Sequence, residues 1–297
     1  MNTHYVLTLY ISAIVCAIAH YFLLKRQPKR GAQAVLTLCL GIVLGTACAR
    51  LIYCLMQVQY IVADGFLATL LSQNVAQLSY YGGCIGVILA VMLSAKITGQ
   101  KALNALNLYA PAGALMAALA RFAEIHLGTL CAGNYIENES FCFFPLAIPN
   151  EWEEWYLAVF VLAGISYLVV FVFSWIKFKD HCFLRTVFYL CLPQILWESL
   201  RNQSIIWHEF VRLEQLLCMV VMEVILVLYG IWSKGQKKRF LPAVTGLLCA
   251  GVFVAVEFAL DKSDLPRALS YAIMVLGLCA LGFMECLGHR KARKAGW

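Results

Sequence analysis

The chain alternates long apolar blocks with short polar breaks. The blocks run approximately over residues 5–24, 34–56, 78–95, 104–122, 155–175, 184–200, 213–232, 240–260 and 266–287. Each has the length a helix needs to cross the roughly 30 Å of a bilayer's hydrocarbon, so the pattern predicts nine membrane spans. Pro193, Gln194 and Glu198 interrupt the sixth and make it the weakest. The first block is expected to be a retained span rather than a cleaved signal. Met1 to His4 carry no Lys or Arg, and the basic residues Lys25, Arg26, Lys29 and Arg30 follow the apolar run instead of preceding it.

Composition supports a lipid surrounding. Hydrophobic residues make up 62% of the 297 positions and charged residues 13%, with a mean hydropathy of +0.78. One soluble core could not hide that much apolar surface. Most of the 13 cysteines lie inside apolar blocks and read as small hydrophobes. Only Cys131 and Cys142 fall in a polar loop, where a bridge between them is open.

The distribution of charge matters more than its sum of +7. With the N-terminus outside and the C-terminus cytoplasmic, the inward breaks hold 17 of the 23 basic residues, including Lys96, Lys101, Lys177, Lys179, Arg185, Lys234, Lys237–Arg239 and the tail Arg290–Lys294. The opposite orientation violates the positive-inside rule. The longest outward loop, Cys131–Glu154, is acidic. A nucleic-acid partner is not expected. Residues 1–232 are expected to form one membrane body, and 233–297 two further spans with a basic cytoplasmic tail.

The other basic residues are Arg50, Arg121, Arg201, Arg212, Lys262 and Arg267. In this topology Arg50 lies in the outer half of span two, and Arg121 and Glu124 at the outer end of span four. Gln194, Glu198 and Arg201 lie toward the outer end of span six, and Tyr80–Gly83 open span three from the same side. A charge in hydrocarbon costs roughly 2.5–3.5 kcal/mol even on permissive insertion scales, so it faces a partner or a wet cavity. Arg121–Glu124 and Glu198–Arg201 are each spaced to meet on one helix face. Either pair alone is explained as a self-satisfied interfacial pair. Four helices placing polar groups at one depth point instead to a shared site, and guanidinium forks suit phosphate oxygens. Glu223, Glu257 and Glu285 are isolated in or near spans, where helix–helix contacts account for them as well as function would. His208 and Glu209 sit in a loop. No zinc motif, phosphate loop or nucleophile elbow occurs, so neither a metal nor a cofactor is expected.

These residues resemble a known family, the prolipoprotein diacylglyceryl transferases of bacterial inner membranes. His4-Tyr5 resembles the family's start of helix one, and Ala49-Arg50-Leu51-Ile52-Tyr53 its glycine-arginine segment in helix two. Tyr81-Gly82-Gly83-Cys84-Ile85-Gly86 resembles its His-Gly-Gly motif, and Ala110-Pro111 recurs before helix four. Ala120-Arg121-Phe122-Ala123-Glu124 through Gly128 falls on its Gly-Arg-Ile-Gly-Asn signature. Glu198-Ser199-Leu200-Arg201 resembles its Glu-x-x-Arg, and Leu213-Glu214-Gln215 the segment opening helix seven. The chain departs from the family at Tyr81 (histidine there), Glu124 (asparagine), Thr129 (glutamate) and Gln194 (arginine).

The resemblance implies an all-α, polytopic transmembrane helical bundle, with a seven-helix transferase-like body and two additional C-terminal helices. It implies transfer of diacylglycerol from a phosphatidylglycerol-like phospholipid to the lipobox cysteine of a prolipoprotein signal peptide, in the bacterial cytoplasmic membrane. Tyr81, Arg121, Glu124 and Glu198 would be catalytic. Tyr5, Arg50, Gly82, Gly83, Gln194 and Arg201 would bind substrate. Two other readings stay open: a degenerate member that binds phospholipid or lipoprotein without turnover, and a small-molecule transporter. Against the transporter, no repeated half and no paired broken helices occur in the sequence.

Overall fold

The computed structural model of the chain describes residues 3–25, 29–56, 62, 65–71, 78–178, 180–202, 206–207, 211–263 and 266–296; Arg26, Lys179, His208 and Glu209 lie outside them. The described residues are almost entirely helical: α1 Thr3–Leu23, α2 Arg30–Met56, α3 Phe66–Leu71, α4 Tyr80–Thr98, α5 Ala102–Ala123, α6 Val159–Ile176, α7 Cys182–Leu200, α8 Leu213–Trp232, α9 Leu241–Lys262 and α10 Arg267–Lys294. Each predicted block forms a helix, and α8 has the bounds the pattern predicts.

Eight of these helices are long and apolar enough to cross a membrane. The fold is an all-α polytopic bundle and the protein is a multi-pass membrane protein. Helix α7, the predicted sixth span, is 19 residues long but is not among those eight. Arg185, Pro193, Gln194 and Glu198 dilute the hydropathy of α7 without breaking its helix.

Block five begins later than its pattern suggests. Trp155–Leu157 forms β2, paired antiparallel with β1, Ala147–Pro149. An apolar run of three residues leads directly into α6, so the strand is invisible to a hydropathy window. A second short pair joins β3, Ile206–Trp207, to β4, Val211–Arg212, ahead of α8. Cys131 and Cys142 both keep their thiols, so the bridge left open above does not form.

The chain divides into two units, Met1–Leu127 with Phe171–Phe183, and Gly128–Val170 with Leu184–Trp297. In the first, α4 starts at Ser79, whose hydroxyl accepts from the Gly82 N–H at 3.3 Å. It stops at Gly99, in the left-handed region at φ 78. Helix α4 packs tightly on α2: a Cβ on Gly82 would lie 2.5 Å from the Cys48 carbonyl oxygen, and one on Gly86 would collide with the Leu44 backbone. Gly82 and Gly86 therefore form the small-residue seam by which membrane helices approach closely. Thr37 and Ser94 join the two helices by a buried 2.7 Å hydrogen bond.

In the second unit, α9 and α10 pack with α8. Glu285 of α10 is fully buried. Its carboxylate accepts from Arg185 Nε at 3.1 Å and from the Tyr189 hydroxyl at 3.0 Å, both on α7, and from the Tyr229 hydroxyl of α8 at 3.4 Å. A carboxylate without access to water requires such partners. Removing only one side of the pair, in Arg185→Leu, is expected to destabilise the protein by about 3–5 kcal/mol, and Arg185→Leu with Glu285→Leu to recover most of that. Thermal unfolding of the detergent-solubilised variants checks it.

Candidate functional site

The first unit gathers seven of the residues expected to act. Arg121 lies one turn from the end of α5 and Glu124 just past it, in a 3-10 segment Glu124–Cys131. Both are buried, at 3% and 8% exposure. Arg121 Nη1 donates to Glu124 Oε1 at 2.5 Å, so the expected i,i+3 pair is made. The guanidinium lies over the Tyr80 ring at 4.7 Å, and Tyr80 meets Tyr81 edge-on at 5.7 Å between centroids. A buried arginine is thus offset on one edge by a carboxylate and on one face by an aromatic quadrupole. The 3-10 segment breaks at Gly128, whose φ of 60 suits glycine.

Arg50 is buried on α2, its Nε donating to the Leu70 carbonyl of α3 at 3.0 Å. Its guanidinium lies 5.8 Å from the Tyr53 ring centroid. Gly82 is buried against the backbone of Cys48 and Ala49, the residues preceding Arg50, and packing accounts for its lack of a side chain. Gly83 is more open, a Cβ there meeting only Ala49 at 4.0 Å. Tyr5 is half-buried near the start of α1. That stretch of α1 meets the segment following Glu124, with Thr8 Oγ1 and His126 Nε2 3.0 Å apart.

The other three residues belong to the second unit. Gln194, Glu198 and Arg201 lie on and just after α7. Gln194 stands between two partners: its Oε1 accepts from the Tyr167 hydroxyl of α6 at 2.5 Å, and its Nε2 donates to Glu198 Oε2 at 3.1 Å. Glu198 is 1% exposed and its Oε1 has no hydrogen-bond partner among the described residues. Among the described residues, the hydrogen bond accepted by the Glu198 carboxylate comes from Gln194. Helix α7 ends at Leu200, and Arg201 leaves it to bridge Gly133 as extended backbone, so the i,i+3 geometry ends with the helix.

Arg212, missed as part of this cluster, caps the end of α7: its Nη1 donates to the carbonyls of Glu198 and, at 2.8 Å, of Arg201. Tyr167 was missed too, because a tyrosine inside an apolar block looks the same whether or not its hydroxyl is engaged. Within the second unit an open surface depression of about 680 Å³ is lined by Gly235–Leu241 and Val244, none of them a candidate site residue. Among the described residues, no group of three or more His, Cys, Asp or Glu side chains is placed to hold a metal ion.

Comparison with known families places the chain as a whole. The sequence model of the family described as prolipoprotein diacylglyceryl transferase matches residues 3–232. This chain belongs to the prolipoprotein diacylglyceryl transferase family. None of the curated proteins compared is a significant match. Membership makes the protein a diacylglyceryl-transferase-like membrane protein of lipoprotein biosynthesis. The matched segment ends at the last residue of α8, so α9 and α10 lie beyond what this family member shares with the family description.

The two glycines of the family-like motif separate packing from open space. Gly82→Ala should lower stability by about 1–3 kcal/mol, because its Cβ meets backbone that cannot yield. Gly83→Ala should be within about 0.5 kcal/mol of wild type. Unfolding of the two variants side by side checks the contrast.

Proposed function

We propose that the protein transfers the diacylglyceryl group of phosphatidylglycerol to the thiol of a lipobox cysteine in a prolipoprotein signal peptide, at the outer leaflet of the bacterial cytoplasmic membrane. The N-terminus lies outside and the C-terminus in the cytoplasm. The observation that carries this reading is a buried arginine, Arg121, held between Glu124 and Tyr80 in a chain of this family. A planar guanidinium in a sheltered setting is the group best suited to a phosphodiester in lipid surroundings.

In the proposed reaction Arg121 binds the donor phosphate, assisted by Arg50, with Tyr5, Gly82 and Gly83 along the lipid. The cysteine sulfur attacks the diacylglyceryl carbon bonded to the phosphate oxygen. A carbon–sulfur bond forms, the carbon–oxygen bond breaks, and glycerol phosphate leaves with the bonding electrons. The thiol proton passes to Glu124. Tyr81 stands where the family has histidine; its phenol hydroxyl serves as a hydrogen-bond donor to the leaving phosphate. Glu198, through Gln194, shapes the polar end of α7.

A second reading draws on Gln194. The family's arginine is absent there, and the amide that replaces it is engaged by Tyr167 and Glu198. In that reading the protein binds phosphatidylglycerol or a lipoprotein without turnover.

Thioether formation on a lipobox peptide, with phosphatidylglycerol supplied, separates the two. Wild type should form product, and Arg121→Ala should lower kcat by about 10²–10³, the usual effect of removing one donor to developing negative charge. No product from wild type beside an active control enzyme ends the transfer reading, and equal product from Arg121→Ala ends the role given to that residue.

A further inference from the structure

Helices α9 and α10 follow the family-matched segment, and α9 carries a carboxylate, Glu257, five residues before its last residue. Glu257 is buried at 7% exposure. An ionisable residue inside an apolar span marks a task to be explained. Its Oε1 accepts from Gln215 Nε2 of α8 at 2.7 Å. The same nitrogen donates to the Ile195 carbonyl of α7 at 2.9 Å. Gln215 is 2% exposed and Ile195 is fully buried.

Both hydrogens of the Gln215 amide are therefore engaged, one on a carboxylate and one on a main-chain carbonyl. The reversed amide would set its oxygen against two acceptors, so the partners dictate its orientation. Ile195 lies between Gln194 and Glu198. It also lies two residues past Pro193, which has no N–H to give the Tyr189 carbonyl and so weakens the ladder in the turn just before. The stretch of α7 bearing the Gln194–Glu198 pair is supported by Tyr167 from α6, by Arg212 at its end, and by Gln215 from the side. From outside residues 3–232, Glu257 reaches this stretch through Gln215, and Tyr271 of α10 meets it at Ser199.

We propose that Glu257 is a positioning residue: it fixes the Gln215 amide on the Ile195 carbonyl and so sets the Gln194–Glu198 pair for reaction, which gives α9 a part in the site rather than a place beside it. The effect on turnover rests on the transfer reading above; the effect on α7 does not. Without the carboxylate, Gln215 loses the acceptor that orients it, and α7 is released in the turn that follows the one its proline weakens. The chemical groups on substrate are unchanged, so donor binding should persist while the rate falls.

The test uses the full chain in phosphatidylglycerol-containing nanodiscs. Glu257→Leu removes the acceptor; Glu257→Gln restores an oxygen to it. Backbone deuterium exchange of the 194–201 stretch should accelerate about tenfold in Glu257→Leu and stay near wild type in Glu257→Gln. In the thioether assay Glu257→Leu should lower kcat about tenfold with KM for phosphatidylglycerol within about twofold, and Glu257→Gln should recover most of the rate. Wild-type exchange in Glu257→Leu overturns the proposal, as does a loss of rate that Glu257→Gln does not recover. Where Glu257→Leu does not fold, Gln215→Met breaks the same link from the other side and carries the same exchange expectation and the same contrary result. Should wild type show no turnover, the transfer reading fails and exchange alone decides this one.

Discussion

In hydrocarbon a polar side chain persists only where the protein supplies its partner, because water is not there to do so. That constraint orders most of what is distinctive in this chain. Arg121 is held by Glu124 and by the face of Tyr80. Glu198 is met by Gln194, and Gln194 in turn by Tyr167. Glu285 is surrounded by Arg185, Tyr189 and Tyr229. Apolar packing makes helices from the rest of the sequence, but the close seams, where Gly82 and Gly86 lie on the α2 backbone, are set by the absence of side chains. Polar partners and bare glycines, more than oiliness, give these helices particular neighbours.

The same constraint separates a site from a structural pair. Arg185 and Glu285 tie α7 to α10 with their hydrogen-bonding capacity turned on one another. Arg121 and Glu124 also meet, yet at the end of α5, next to two tyrosines and opposite the start of α1. In the proposed function this guanidinium exchanges its carboxylate for a phosphate, and the match over residues 3–232 places the chain in the prolipoprotein diacylglyceryl transferase family.

Much of the fold was legible in the sequence because membrane helices announce themselves by length. The predicted block 213–232 coincides with Leu213–Trp232, and the Arg121–Glu124 spacing predicted the pair that forms. What was not legible depended on ends and on partners far along the chain. Glu198–Arg201 has the same spacing as Arg121–Glu124, but α7 stops at Leu200 and the spacing loses its meaning there. Trp155–Leu157 is a strand only because Ala147–Pro149 returns beside it. Tyr167 and Glu257 each occupied an apolar block with nothing local to name the partner, 27 residues away in one case and 42 in the other. Polar residues in spans could be flagged from sequence; which of them would meet could not, because helix packing decides that.

The claim most in need of a direct measurement is that Arg121 recognises the phosphate of a membrane lipid. Native mass spectrometry of the full chain can compare retention of phosphatidylglycerol with that of a neutral diacylglycerol of the same acyl chains, in wild type and in Arg121→Gln. A charge-assisted contact implies a wild-type preference for phosphatidylglycerol of at least about tenfold, lost in the variant while diacylglycerol retention stays the same. Equal retention of both lipids by wild type, or a preference undiminished in Arg121→Gln, would contradict it.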